Sequence, residues 1–202
     1  PEARAVGVTC GALQGDPRDE AHIAALFDKA AAIGPVDLCV VNAGVVGPNS
    51  RLADMDAERI RRVIDINVTG ALLTLREAAR RMPVDKGGPG GAIVIVSSAA
   101  ARLGGPGKSV EYGASKGAMD TLTTGLSQEL APSVRVNAVR PGIIDTDIHI
   151  DAGAPDRVKT QGPDVPLGRA GTAAETAEAI LWLLSDAASY ASGAIVDVTG
   201  GR

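Results

Sequence analysis

Short apolar runs alternate along this chain with longer stretches in which apolar side chains recur at helical spacing. The runs at 36–42 and 92–97 are almost wholly apolar, the mark of strands buried on both faces of a parallel sheet. Residues 134–139 read as another strand, halted by Pro141-Gly142, and residues 194–198 as a last one. Residues 3–10 form a first, shorter run interrupted by glycine. Helical patterns lie between. Residues 19–33 carry Ile23, Leu26, Phe27, Ala30 and Ile33 on one stripe, stopped by Gly34-Pro35. Residues 56–82 carry Ile60, Val63, Ile64, Val68, Ala71 and Leu75. Residues 112–130 turn Met119, Leu122, Leu126 and Leu130 inward. Residues 173–184 form a last helix, with its cap at Thr172 or Ala173. Loops are expected at 44–52, 87–91 and 102–108. The stretch 143–171, rich in proline and glycine, is long enough to mark a functional or a disordered segment.

Strands alternating with helices predict an α/β fold: a doubly wound, mostly parallel, Rossmann-like sheet in a single domain, residues 1–202. Such sheets bind ligands beyond the carboxyl ends of their strands. The distinctive residues gather there. Asn42-Ala43-Gly44 follows one apolar strand, Ser97-Ser98 ends the next, and Pro141-Gly142 ends the one after.

Composition narrows the function. The 202 residues suffice for one domain with a real core, built from small and branched side chains with few aromatics. The net charge of −4 is dispersed, which argues against nucleic acid or an anionic membrane as partner. Arg59, Arg61, Arg62, Arg80 and Arg81 fall on helix faces expected to be solvated. Cys10 and Cys39 lack metal-ligand spacing and read as small buried hydrophobes in a reducing, cytoplasmic setting; no metal site is expected. No apolar stretch is long enough to span a bilayer, and no signal peptide is visible.

The candidate chemistry lies in Glu111-Tyr-Gly-Ala-Ser-Lys116. On a helix, a spacing of four sets the Tyr112 phenol and the Lys116 ammonium on one face. A nearby cation favours the phenolate and lowers a pKa that is ordinarily ~10. Such a tyrosine exchanges protons near neutral pH. The Ser98 hydroxyl can hold the same oxygen that the phenol protonates. An ordinary surface pair is the alternative, worth only tenths of a kcal/mol.

These residues resemble the short-chain dehydrogenase/reductase family. Asn42-Ala-Gly44, Asn67, Ser98, Tyr112-Gly-Ala-Ser-Lys116 and Pro141-Gly-Ile-Ile-Asp-Thr146 fall in the family's order, and the similarity covers residues 16–201. The stretches 98–116 and 121–129 and the ending Val198-Thr-Gly-Gly201 look most like bacterial glucose-1-dehydrogenase-like oxidoreductases. The resemblance implies hydride transfer between NAD or NADP and a carbonyl or secondary alcohol. It makes Tyr112 the general acid/base, with Lys116 lowering its pKa and binding the nicotinamide ribose. Ser98 would polarise the substrate oxygen, and Asn67 would hold a water in a proton relay. Asn42, Ala43 and Gly44 would approach the adenosine ribose. Pro141, Gly142, Ile144 and Thr146 would grip the nicotinamide carboxamide, and Asp16 would meet adenine. A small-molecule substrate is implied; the small, polar and charged residues at 44–52, 99–111 and 146–169 favour a modest polar or mixed one, and His149 either reaches that pocket or faces solvent as a lid residue. A homodimer or homotetramer through the helices at 56–82 and 112–130 and through the C-terminal region is implied too. The alternative is a non-catalytic nucleotide-binding scaffold on the same fold.

The pattern also departs from the family. Pro17 lacks the backbone N–H usually offered to adenine. Val41 replaces an asparagine common before Asn-Ala-Gly. The glycine-rich phosphate turn expected ahead of the first strand is absent, and with it the NAD/NADP selector. The expectation is therefore a longer native chain whose additional N-terminal segment pairs with the strand at 36–42, whose edge is otherwise an open apolar template.

Overall fold

The structure, a computed structural model, describes residues 7–202. Strands β1 (Leu38–Val41), β2 (Gly91–Val96) and β3 (Val134–Pro141) run parallel, side by side. A two-residue ribbon, β4 (Ile144–Asp145) with β5 (Gly171–Thr172), stands apart, and β6 (Ile195–Val198) completes the main sheet beside β3. The order is β1-β2-β3-β6.

Two apolar layers explain why the strands are apolar throughout. Ile93 and Ile95 of β2 pack with Ile23, Phe27, Leu75 and Met119 on one face. Val94 turns the opposite way, to Val139 and Leu183. Neither face of β2 meets water, so the polar/apolar alternation of a half-exposed strand is missing.

Local chemistry sets the helix starts. Helix α1 (Glu20–Ala31) begins at Asp19, whose carboxylate accepts from the Ala21 and His22 N–H groups. Helices α2 (Ala57–Ile64) and α3 (Gly70–Arg81) are joined by a π-helical turn, Asp65–Thr69. The periodicity over 56–82 predicted one regular helix; the π turn re-aims the side chains between its halves. Next come α4 (Ala100–Leu103) and the long α5 (Val110–Glu129). The irregular stretch after β3 contains two short helices, α6 (Ile148–Asp151) and α7 (Arg157–Gln161). Helix α8 (Ala173–Leu184) opens with a reciprocal capping box between Thr172 and Glu175.

Three expectations are corrected. Residues 3–6 of the expected first strand lie outside the described residues, and 8–10 are not strand: Gly7, at φ +80°, turns the chain there. Cys10 is thus half-buried in irregular chain, while Cys39 lies in β1, where burial pushes its thiol up to about 11. Arg59 is not solvated: it donates through Nε (3.0 Å) and Nη2 (2.6 Å) to the buried Glu111 carboxylate, tying α2 to α5. Among the described residues β1 is the sheet edge, and its Leu38 and Val40 are 50% and 43% exposed.

Candidate active site

The carboxyl ends of β1, β2 and β3 open into a cleft of ≈ 610 Å³. Its walls include Asn42, Ala43 and Gly44 beyond β1, Ser98 beyond β2, Tyr112 and Lys116 from α5, and Pro141, Gly142, Ile144 and Thr146 around the end of β3. Ten of the residues that the sequence motifs and the family resemblance singled out therefore meet in one cavity. Asn67 and Asp16 do not line it.

The first turns of α5 carry the reactive pair. Gly113 lets α5 lie against α4: a Cβ there would stand 2.9 Å from the Gly104 carbonyl oxygen and 3.1 Å from that of Ala100. This contact points Tyr112 and Lys116 at the cleft. The Lys116 ammonium lies 5.8 Å from the Tyr112 ring centroid and donates to the Val96 carbonyl at 2.7 Å. Burial lowers the Lys116 pKa to about 8, against the opposing charge of Asp120. For Tyr112, burial raises the pKa, and the nearby Ser98 hydroxyl and the positive charge of Arg157 pull the other way. The expectation that Lys116 sets the phenol below its ordinary value is thus not met in this arrangement. Desolvation dominates, and the charge of Arg157 opposes it.

Behind these groups, polar side chains fix the walls. Asn67, presented by the π turn and 1% exposed, accepts from the Val45 N–H (2.7 Å). It donates to the Val45 carbonyl (2.9 Å) and to Ser115 Oγ (3.0 Å). Asn67 thus holds the loop after β1 against α5. A Cβ on Gly44 would come within 3.3 Å of Asn67 Oδ1 and 3.4 Å of Lys116 Nζ, so the loop packs tightly against amide and ammonium here. Ser97 Oγ donates to Asp120 Oδ1 (2.7 Å), whose other oxygen accepts from Arg140 Nε (3.0 Å) and Nη2 (2.8 Å). That network joins α5 to β2 and β3 one turn below Lys116.

Asp16 lies in the loop before α1, where Arg18 grips its carboxylate and holds its pKa down to about 2. Of the two readings of His149, the pocket one holds and the solvent-facing one does not. The residue is 6% exposed, lines the cleft, and bonds through Nε2 to the Ile144 carbonyl at 2.9 Å. Arg157 of α7 lies near the phenol as well. Neither motif nor periodicity marked it, because a proline- and glycine-rich stretch without a regular pattern carries it into the site.

The family model described as enoyl-(acyl carrier protein) reductase matches residues 1–202. The chain belongs to the short-chain dehydrogenase/reductase family, whose members are NAD(P)-dependent oxidoreductases. It is 50% identical over 192 residues to the uncharacterized oxidoreductase YgfF of Escherichia coli, covering 94% of this chain and 78% of that one. It is 42% identical to cis-4-hydroxycyclohexanecarboxylate dehydrogenase of Sinomonas cyclohexanicum, over 92% of this chain and 74% of the relative. Among solved structures, 3-ketoacyl-(acyl-carrier-protein) reductase from Brucella melitensis complexed with NADH superposes with a TM-score of 0.85 at 30% identity. That match covers 93% of this chain and 76% of that one.

Proposed function

We propose that the protein interconverts a carbonyl and a secondary alcohol at an oxygen received between Ser98 and Tyr112. The observation that supports this best is the meeting of Ser98, Tyr112 and Lys116 on the wall of one cleft beyond the strand ends. The residues present suit a nicotinamide dinucleotide. Lys116 gives one N–H to Val96 and keeps further donors on the cleft wall for sugar hydroxyls. Asn42, Ala43 and Gly44 line the cleft and suit a ribose, and Gly142, Ile144 and Thr146 bring backbone groups and a hydroxyl that suit a carboxamide. When bound, the nicotinamide supplies or accepts the hydride. In reduction Tyr112 donates its proton to the substrate oxygen, and Ser98 steadies that oxygen by a hydrogen bond; in oxidation Tyr112 takes the proton back. Asn67 acts through position, holding the loop beside Lys116.

The name of the Sinomonas relative denotes a ring secondary alcohol, which accords with this reaction class. Self-association through the faces of α3, α5 and α8 belongs to the same proposal; Leu72, Leu181 and Trp182 are exposed there at 45%, 58% and 47%. The test is hydride transfer, followed by nicotinamide absorbance, across a panel of secondary alcohols and ketones. Tyr112→Phe should lower kcat/KM by at least ~10²-fold while leaving cofactor affinity in place. Full activity in that variant, on a substrate the wild type turns over, contradicts the assignment.

A further inference from the structure

A second cavity, of ≈ 380 Å³, opens between the segment at 98–109 and α7. It shares Ser98, Tyr112, Gly142, Ile148 and His149 with the main cleft but none of Asn42, Ala43 and Gly44. A molecule in it therefore reaches Tyr112 without lying along Asn42, Ala43 and Gly44. The charged residues in its wall are Lys108, Arg157 and Arg202, and no Asp or Glu lines it.

Arg157 carries most of the case. It is half-buried, its Nε is covered without a hydrogen-bond partner, and among the described residues no carboxylate pairs with it. Burial and the like charge of Arg202 both disfavour its protonated form, yet a guanidinium does not give up its proton in a protein. An unpaired, half-desolvated cation is costly, and an anion entering the cavity offsets that cost. His149 adds a second unpartnered atom. Its Nε2 must carry the proton, because the Ile144 carbonyl only accepts, and burial keeps the ring neutral. The covered Nδ1 is then a bare acceptor.

Taking the proposed carbonyl/alcohol chemistry as its basis, we propose that the substrate carries a carboxylate, received by Arg157 in this second cavity, while the reacting oxygen lies at Tyr112. Lys108 and Arg202 supply the surrounding positive field. His149 Nδ1 accepts from a hydroxyl of the same molecule. The overall net charge of −4 makes the local excess of cations the more selective, since acidic compounds are not drawn to the protein as a whole.

Binding of inert probes separates this proposal from the chemistry. The full chain, saturated with NAD+ or NADP+, is titrated calorimetrically with cyclohexanecarboxylate, with cyclohexanecarboxamide and with inorganic phosphate. The carboxylate should bind at least about 10-fold more tightly than the amide and more tightly than phosphate. Arg157→Gln should erase the preference, and Arg157→Lys should restore part of it. Equal affinity for acid and amide, no carboxylate binding at millimolar concentration, or a preference that survives Arg157→Gln each overturns the proposal. Tighter phosphate binding overturns the carboxylate and points to a phosphorylated substrate. If the acid binds as expected and no hydroxy or oxo acid is turned over, the catalytic reading fails and the anion site stands.

Discussion

At the scale of single residues, burial decides more than sequence spacing reveals. The spacing of Tyr112 and Lys116 was readable, as was their sharing one face. The direction of their pKa shifts was not, because desolvation depends on which segments pack over them. Lys116 offers a direct check. Its folded pKa is depressed from 10.5 to about 8, so the folded state loses its proton before the unfolded one. Burial of the charge thus costs stability below pH 8, and stability is regained as pH rises towards the unfolded value. A shift of this size corresponds to about 3 kcal/mol. Denaturant titrations should show wild type gaining stability relative to Lys116→Met between pH 8 and pH 10. Parallel profiles for the two proteins would show that the ammonium is not desolvated. Gly142 supplies a second residue-level test. A Cβ there would stand 2.9 Å from Thr199 Cα, a backbone atom that no rotamer change can move aside. Gly142→Ala should lower stability by roughly 1–3 kcal/mol and distort the wall of the cleft. An unchanged melting curve contradicts that packing.

At the scale of elements, the strands and helices were legible because burial on one stripe or on both faces leaves a periodic trace. The π turn Asp65–Thr69 was not legible, since the apolar stripe at Ile64, Val68 and Ala71 reads the same with or without it. Its consequence is Asn67, whose amide replaces backbone partners for Val45. Asn67→Ala should leave the Val45 N–H and carbonyl unmatched and cost about 2 kcal/mol or more, with a rise in KM for the cofactor as the loop loosens. Loss of kcat alone, with KM and stability intact, contradicts a positioning role. The network of Ser97, Asp120 and Arg140 likewise joins elements far apart in sequence, so nothing in a local window announced it. Asp120→Asn should weaken the clasp on Arg140, whose side chain is only 20% exposed, by about 1–3 kcal/mol. Additivity of Asp120→Asn and Arg140→Gln in a double-mutant cycle would show the pair uncoupled.

At the scale of the whole molecule, the parallel sheet gathers strand ends from positions a hundred residues apart, from Asn42 to Gly142, into one cleft. That convergence was foreseeable from strand order alone, and it is why five weak motifs added up. The substrate side was not foreseeable: the stretch at 143–171 has no regular period, yet it places His149 and Arg157 beside the phenol. With the phenol raised by burial, the protonated form prevails at neutral pH, which suits carbonyl reduction. Alcohol oxidation should accelerate about tenfold per pH unit until the phenol titrates. The most direct measurement is therefore the pH profile of hydride transfer in both directions, wild type against Tyr112→Phe. The account predicts reduction that is flat near neutrality, oxidation that climbs with pH, and the loss of both profiles when the phenol is removed. A Tyr112→Phe protein that keeps the rate and the profile of the wild type would contradict it.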